Sequence, residues 1–136
     1  MKYFRKKEIE NALDKEKRQY LVARLDFPQA LADRIKGDIE IGISDYPVFT
    51  ADKPHVHPVC TDYSYVLEGQ VKIMLLDGSG EKHTFRKGDF YMIPPGVPHV
   101  TKNCKGTRVL FVKSPSINDK TLVEVGPDVL EWLAKW

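Results

Sequence analysis

An all-β barrel or sandwich with a short helix near each end is the fold class this sequence predicts. Two observations carry that reading. From Val48 to Lys113 the chain is a series of short runs of alternating polarity cut by Gly, Pro, Asn and Asp turns, the pattern of a strand-rich barrel or sandwich. Helical spacing of apolar residues occurs near the two termini. The 136 residues suit a single domain, 1–136, with a core barrel over about 38–113.

Taken in order, Arg5 to Lys17 is polar with Ile9, Ala12 and Leu13 at helical spacing, which predicts a short amphipathic helix. Tyr20 to Leu25 reads as a strand. Asp38 to Asp45 alternates, with Ile39, Ile41 and Ile43 on one face and Glu40, Gly42 and Ser44 on the other, as in a half-buried strand. Val71, Ile73 and Leu75 alternate with Lys72 and Met74. Asp77 to Gly80 supplies a hairpin turn, and Glu81 to Phe85 returns. Phe90 to Ile93 and Thr107 to Lys113 are further strands. Pro127-Asp128 opens a C-terminal helix whose stripe of Val129, Leu130, Trp132, Leu133 and Trp136 packs on the barrel or on a second subunit.

Composition narrows the function. Lys and Arg number 21 against 19 Asp and Glu, so a net charge of +2 gives no case for nucleic acid. The basic start lacks an apolar signal core. The longest apolar run, Ile73 to Leu76, is far too short for a bilayer. The expectation is a cytoplasmic protein with no membrane partner. Cys60 and Cys104 are expected as free thiols, either of which could face a site.

The chemistry lies in two histidine clusters. In His55-Val56-His57, residues i and i+2 of a strand point the same way, roughly 6–7 Å apart, so two imidazoles can turn toward one ion. In Gly88 to Asn103, Gly88 turns into a strand, Pro94 ends it, and Gly96 permits a turn with positive φ. The reversed chain then presents His99.

This second stretch resembles the second cupin motif, G-x5-P-x-G-x2-H-x3-N, at every fixed position. The stretch from His55 to Gly69 resembles the first, G-x5-H-x-H-x3-4-E-x6-G, with two departures: Phe49 stands at the leading Gly and Asp62 at the Glu. The resemblance implies a jelly-roll barrel (double-stranded β-helix) of the small RmlC-like kind, commonly a homodimer. It also implies one divalent metal held by His55, His57, Asp62 and His99. Three imidazoles and a carboxylate suit Fe, Mn, Ni, Cu, Co or Zn. Glu68 cannot stand in for Asp62, because six residues of strand place it about 20 Å further on.

Pleating would turn Ser64 and Val66 inward with Asp62 and leave Tyr63, Tyr65 and Leu67 outside. An apolar outer row calls for cover from the N-terminal segment or a second subunit, unless a bulge flips the register. Ser64, Ile73, Tyr91, Met92 and Phe111 are expected to line the pocket, with Phe90 a core candidate. His83, Lys53, Lys102 and Arg108 read as solvated, and Asp89 and Asn103 as turn formers. Three functional readings stay open: a metal-dependent enzyme on a small polar molecule, of dioxygenase or isomerase type; a non-catalytic metal- and ligand-binding or sensor module; and a degenerate barrel whose site Asp62 has spoiled.

Overall fold

The computed structural model describes residues 1–136. The elements are α1 (Lys6–Lys15), β1 (Arg18–Val22), β2 (Glu40–Tyr46), β3 (Thr50–Ala51), β4 (His55–Val56), β5 (Thr61–Glu68), β6 (Gln70–Leu75), β7 (Lys82–Arg86), β8 (Phe90–Ile93), β9 (His99–Asn103), β10 (Thr107–Ser114), β11 (Thr121–Leu122) and α2 (Pro127–Leu133). Two antiparallel sheets face each other as a jelly roll. One runs β1-β2-β10-β5-β8; the other runs β11-β4-β9-β6-β7, with β3 paired to β9.

Alternation explains most of the core. Val66, Val71, Ile73, Ile93 and Val109 point between the sheets and form one buried cluster, each fully buried aliphatic side chain contributing about 1.5–3 kcal/mol. On the outside of the second sheet, Met74 and Val100 pack with Val129 and Leu133 of α2. Lys102 lies on that outer face too, but it is buried. Its ammonium donates to the carbonyls of Trp132 (2.5 Å) and Lys135 (2.8 Å) and sits over the Trp132 ring. A cation there satisfies carbonyls that a helix end leaves unpaired. The solvated-lysine expectation for Lys102 fails for this reason. Leu130 and Trp136, also placed on the stripe, are exposed.

β2 inverts the polarity its sequence suggests. Glu40, Gly42 and Ser44 face inward and are buried, whereas Ile41 and Ile43 are half-buried on the outer face beside Val112 and Leu110. The register explains it: Glu40 pairs with Lys113, which pairs with Asp62, so all three share the inner face. The interior at this end is a polar cavity rather than a core. β1 stops at Val22, short of the expected Leu25, after a shift in register between Tyr20 and Val22.

The outer row of β5 is covered only in part. Tyr63 and Leu67 are half-buried, but Tyr65 is 41% exposed and continues into Phe90 at 59% and Met92 at 50%. α1 lies on the same outer face but toward the β1–β2 edge, where Arg108 of β10 forks between Glu10 of α1 and Asp45 of β2. Arg108 is therefore an ion-paired bracket, not a solvated charge. Phe90 and Met92 lie outside because their register partners Tyr65 and Tyr63 do.

Candidate functional site

The cavity between the sheets has a volume of about 430 Å³. His55 of β4 and His99 of β9 are direct cross-strand partners, with ring centroids 4.4 Å apart. His57 follows β4 on the same face, 5.0 Å from His55 by ring centroid. Asp62 enters from β5 in the opposite sheet. The turn that delivers His99 is made at Gly96, whose φ is +79°, a conformation glycine adopts without strain. The Gly96 N–H also donates to the His57 carbonyl at 2.9 Å, which joins the two motifs.

Each imidazole is oriented through Nδ1. His55 donates from Nδ1 to the Lys53 carbonyl (2.7 Å), and His99 to the Val97 carbonyl (2.9 Å). His57 donates from Nδ1 to the Asp119 carboxylate (2.7 Å). A carbonyl or carboxylate can only accept, so each ring donates from a protonated Nδ1, and His55 and His99, which burial holds neutral, keep a bare Nε2. This is the tautomer that metal-ligating histidines hold through an outer partner. The ligand atoms of His55, Asp62 and His99 lie within 4.8 Å of one another. His57 stands slightly apart from that group, its Nε2 3.3 Å from Asp62 Oδ2.

Burial sets the protonation. Loss of water holds His55 neutral down to about 4, against a helpful bond to the Lys53 carbonyl and with His99 adding repulsion. Burial also depresses His99 and raises Asp62, the latter opposed by His57 and His99. The neutral imidazoles of His55 and His99 beside one reluctant carboxylate form a donor set that a divalent cation would complete.

Asp119 escaped the sequence reading. It lies 62 residues from His57 in the chain, in the segment between β10 and β11, and no spacing rule connects the two. Burial alone would raise its pKa, but the N–H groups of Cys60 and Val59 and the His57 ring together hold it well below the usual carboxylate range. Cys60 packs behind it, donating to the Pro115 carbonyl, and burial pushes its thiol up to about 11. Cys60 and Cys104 are both free, and neither lines the cavity.

Of the other expected lining residues, Ser64, Tyr91 and Phe111 border the cavity. Ile73 sits in the core cluster instead, and Met92 departs from the expectation by pointing outward. Asn103 makes no turn; it is a buried residue of β9 on the cavity wall. His83 is exposed beside Glu81, Lys53 is exposed, and Asp89 accepts from the Arg86 N–H in its turn. Glu68 is exposed and paired with Lys87. Residues that the sequence reading passed over include Arg18, Tyr46, Lys113 and Lys120 on the wall, and Glu40 buried beneath it.

The cupin domain family model matches residues 42–113, more than half of the chain. The chain belongs to the cupin family. Among curated relatives, the rhicadhesin receptor of Pisum sativum is 32% identical over 80 residues, 54% of this chain and 37% of that protein. The chain thus matches little more than a third of that relative's length. Among solved structures, KdgF from Halomonas sp. superposes with a TM-score of 0.56 at 20% identity, over 75% of this chain and 80% of that one. Bacillus subtilis oxalate decarboxylase, which has Mn(II) centres, superposes with a TM-score of 0.53 at 15% identity, over 70% of this chain and 28% of that one. At these identities the superpositions establish the shared fold. No helix of this cupin is long and apolar enough to cross a membrane.

Proposed function

We propose that this cupin is a metal-dependent enzyme, of dioxygenase or isomerase type, acting on a small polar molecule. His55, His57, Asp62 and His99 would hold one divalent transition metal. The observation that carries this reading is the uniform anchoring of all three imidazoles through Nδ1, which leaves each Nε2 as the ring atom free to serve one cavity beside Asp62. A purely structural histidine cluster has no need of that shared tautomer. The metal would supply Lewis-acid or redox chemistry to an oxygen-bearing substrate.

The chain's own residues have separate tasks. Burial holds His55 and His99 neutral, so their lone pairs stay available for a cation. Lys113, mostly buried and held by Glu40 at 3.4 Å, shares a register row with Asp62 and lines the cavity. Its ammonium can donate to a substrate oxygen. Tyr91, whose hydroxyl burial pushes up to about 12, stays a neutral donor across the working pH range. A cytoplasmic location and assembly as a homodimer belong to the same proposal. The row Tyr65, Phe90 and Met92 gives a second copy an apolar face to cover.

The test is the metal content of untagged protein purified without chelator, beside that of His99→Ala. Support is close to one equivalent of iron, manganese, nickel, copper, cobalt or zinc, lost in the variant while the fold is kept. Failure to take up any of these metals after reconstitution would refute the ligand set.

A further inference from the structure

Three cations line the cavity: Arg18, Lys113 and Lys120. Two face carboxylates, Lys113 the buried Glu40 at 3.4 Å and Lys120 Asp52 at 2.9 Å. Arg18 makes no ion pair, yet its head group is fixed. Its Nε–H donates to the Tyr20 hydroxyl (3.2 Å) and its Nη1 to the buried Ser44 hydroxyl (3.0 Å). The guanidinium lies 3.7 Å above the centroid of the Phe111 ring. That ring in turn fills the space over Gly42, where any Cβ would overlap it. A guanidinium has five N–H donors, so three remain unused, including both on Nη2. They form a pre-set edge suited to two oxygens of one carboxylate.

The register gives the spacing. Arg18 pairs with Ser44, whereas Asp62 lies in the row of Lys113 and Glu40, four residues along β2 from Ser44. Because Arg18 leans over Phe111, which is in the intervening row with Gly42 and Ser64, its head is separated from the Asp62 row by about 7 Å along the strands. That is the length of a short carbon chain.

We propose that Arg18 is the anion anchor of the cavity, and that the ligand is a small carboxylic acid carrying a second oxygen-bearing group toward His55, Asp62 and His99. This rests on the metal reading for the far end only. The charge balance favours an anion. Lys120 is paired with Asp52 and Lys113 faces Glu40, whereas Arg18 has no carboxylate beside it. Arg18 is exposed at the cavity mouth, where an entering carboxylate can reach its unused donors.

The experiment is titration calorimetry of metal-loaded protein with malate, which has carboxylates at both ends, and with lactate, which lacks the distal one. Wild type and Arg18→Gln are compared, with metal content and melting temperature measured on both. The expected result is malate binding weakened about ten- to a hundredfold in Arg18→Gln, the worth of a charge-assisted hydrogen-bonded pair. Lactate binding, metal content and melting temperature should not change, and Arg18→Lys should recover part of the loss. Equal malate affinity in both proteins, or no saturable malate binding to wild type, overturns the anchor while leaving the metal reading intact. If the protein takes up no metal, the metal reading falls. The anchor is then decided with succinate on the metal-free protein: binding lost in Arg18→Gln supports it, and binding absent or unchanged overturns it.

Discussion

Replacing Asp119 by asparagine changes the protein at one atom and tests how His57 is held. The carboxylate accepts three bonds: from His57 Nδ1 at 2.7 Å, the Val59 N–H at 2.9 Å and the Cys60 N–H at 2.8 Å. Both side chains are about nine-tenths buried, with exposures of 10% for Asp119 and 9% for His57. An amide keeps one accepting oxygen and substitutes an NH₂ that cannot accept. If the oxygen stays with the backbone N–H pair, the NH₂ faces His57 Nδ1. The ring must then move its proton to Nε2, which removes the lone pair meant for the metal. Losing an outer partner of this type costs about 10- to 100-fold in metal affinity, and leaving one buried donor unmet costs about 1–3 kcal/mol of stability. The assay is competition for metal against a chromophoric chelator, run beside thermal melting of the metal-free protein. A variant that melts lower but binds metal as tightly as wild type would refute the reasoning, because Asp119 would then fasten the loop without orienting the ring.

Three further outcomes are expected. The lowered pKa of His55, about 4 against an ordinary 6.5, means that between these values the unfolded chain binds more protons than the folded one. Metal-free protein should therefore lose stability as pH falls from 6.5 toward 4, and His55→Asn should flatten that slope in melts taken across the range. Gly69 has a φ of +77°, and a Cβ there would overlap Thr107. Gly69→Ala should cost about 1–3 kcal/mol in urea unfolding, and an unchanged midpoint would deny the strain. Phe90→Lys puts a charge at the centre of the bare outer face; sedimentation should show a dimeric wild type and a monomeric variant, and a monomeric wild type would end the homodimer proposal.

The jelly roll was legible because strand alternation and the Gly88–Asn103 motif are local signals, each readable within a dozen or so residues. His55, His57, Asp62 and His99 were legible for the same reason, and the structure brings them to one cavity. Where the reading slipped, long-range pairing decided. Ile39, Ile41 and Ile43 looked like the buried face of β2, but pairing with Lys113 turns Glu40 inward, and a polar cavity accepts it. Arg18 and Asp119 come from segments outside both motifs and meet the site only through the fold. Lys102 shows the same limit, since its partners are carbonyls of a helix about thirty residues away.

The two sheets share a cavity, and the site lies across it. His55, His57 and His99 belong to the β4-β9 side and Asp62 to the β5 side. β4 is two residues long and holds β9 through a single register pair. An ion seated among these four side chains would act as a rivet across a seam whose local stitching is sparse. Loading would then govern how often the mouth of the barrel gapes, as well as what chemistry happens inside it. Amide exchange at β4 and β5 would slow on loading, while that of α2, on the outside of the second sheet, would keep its own pace.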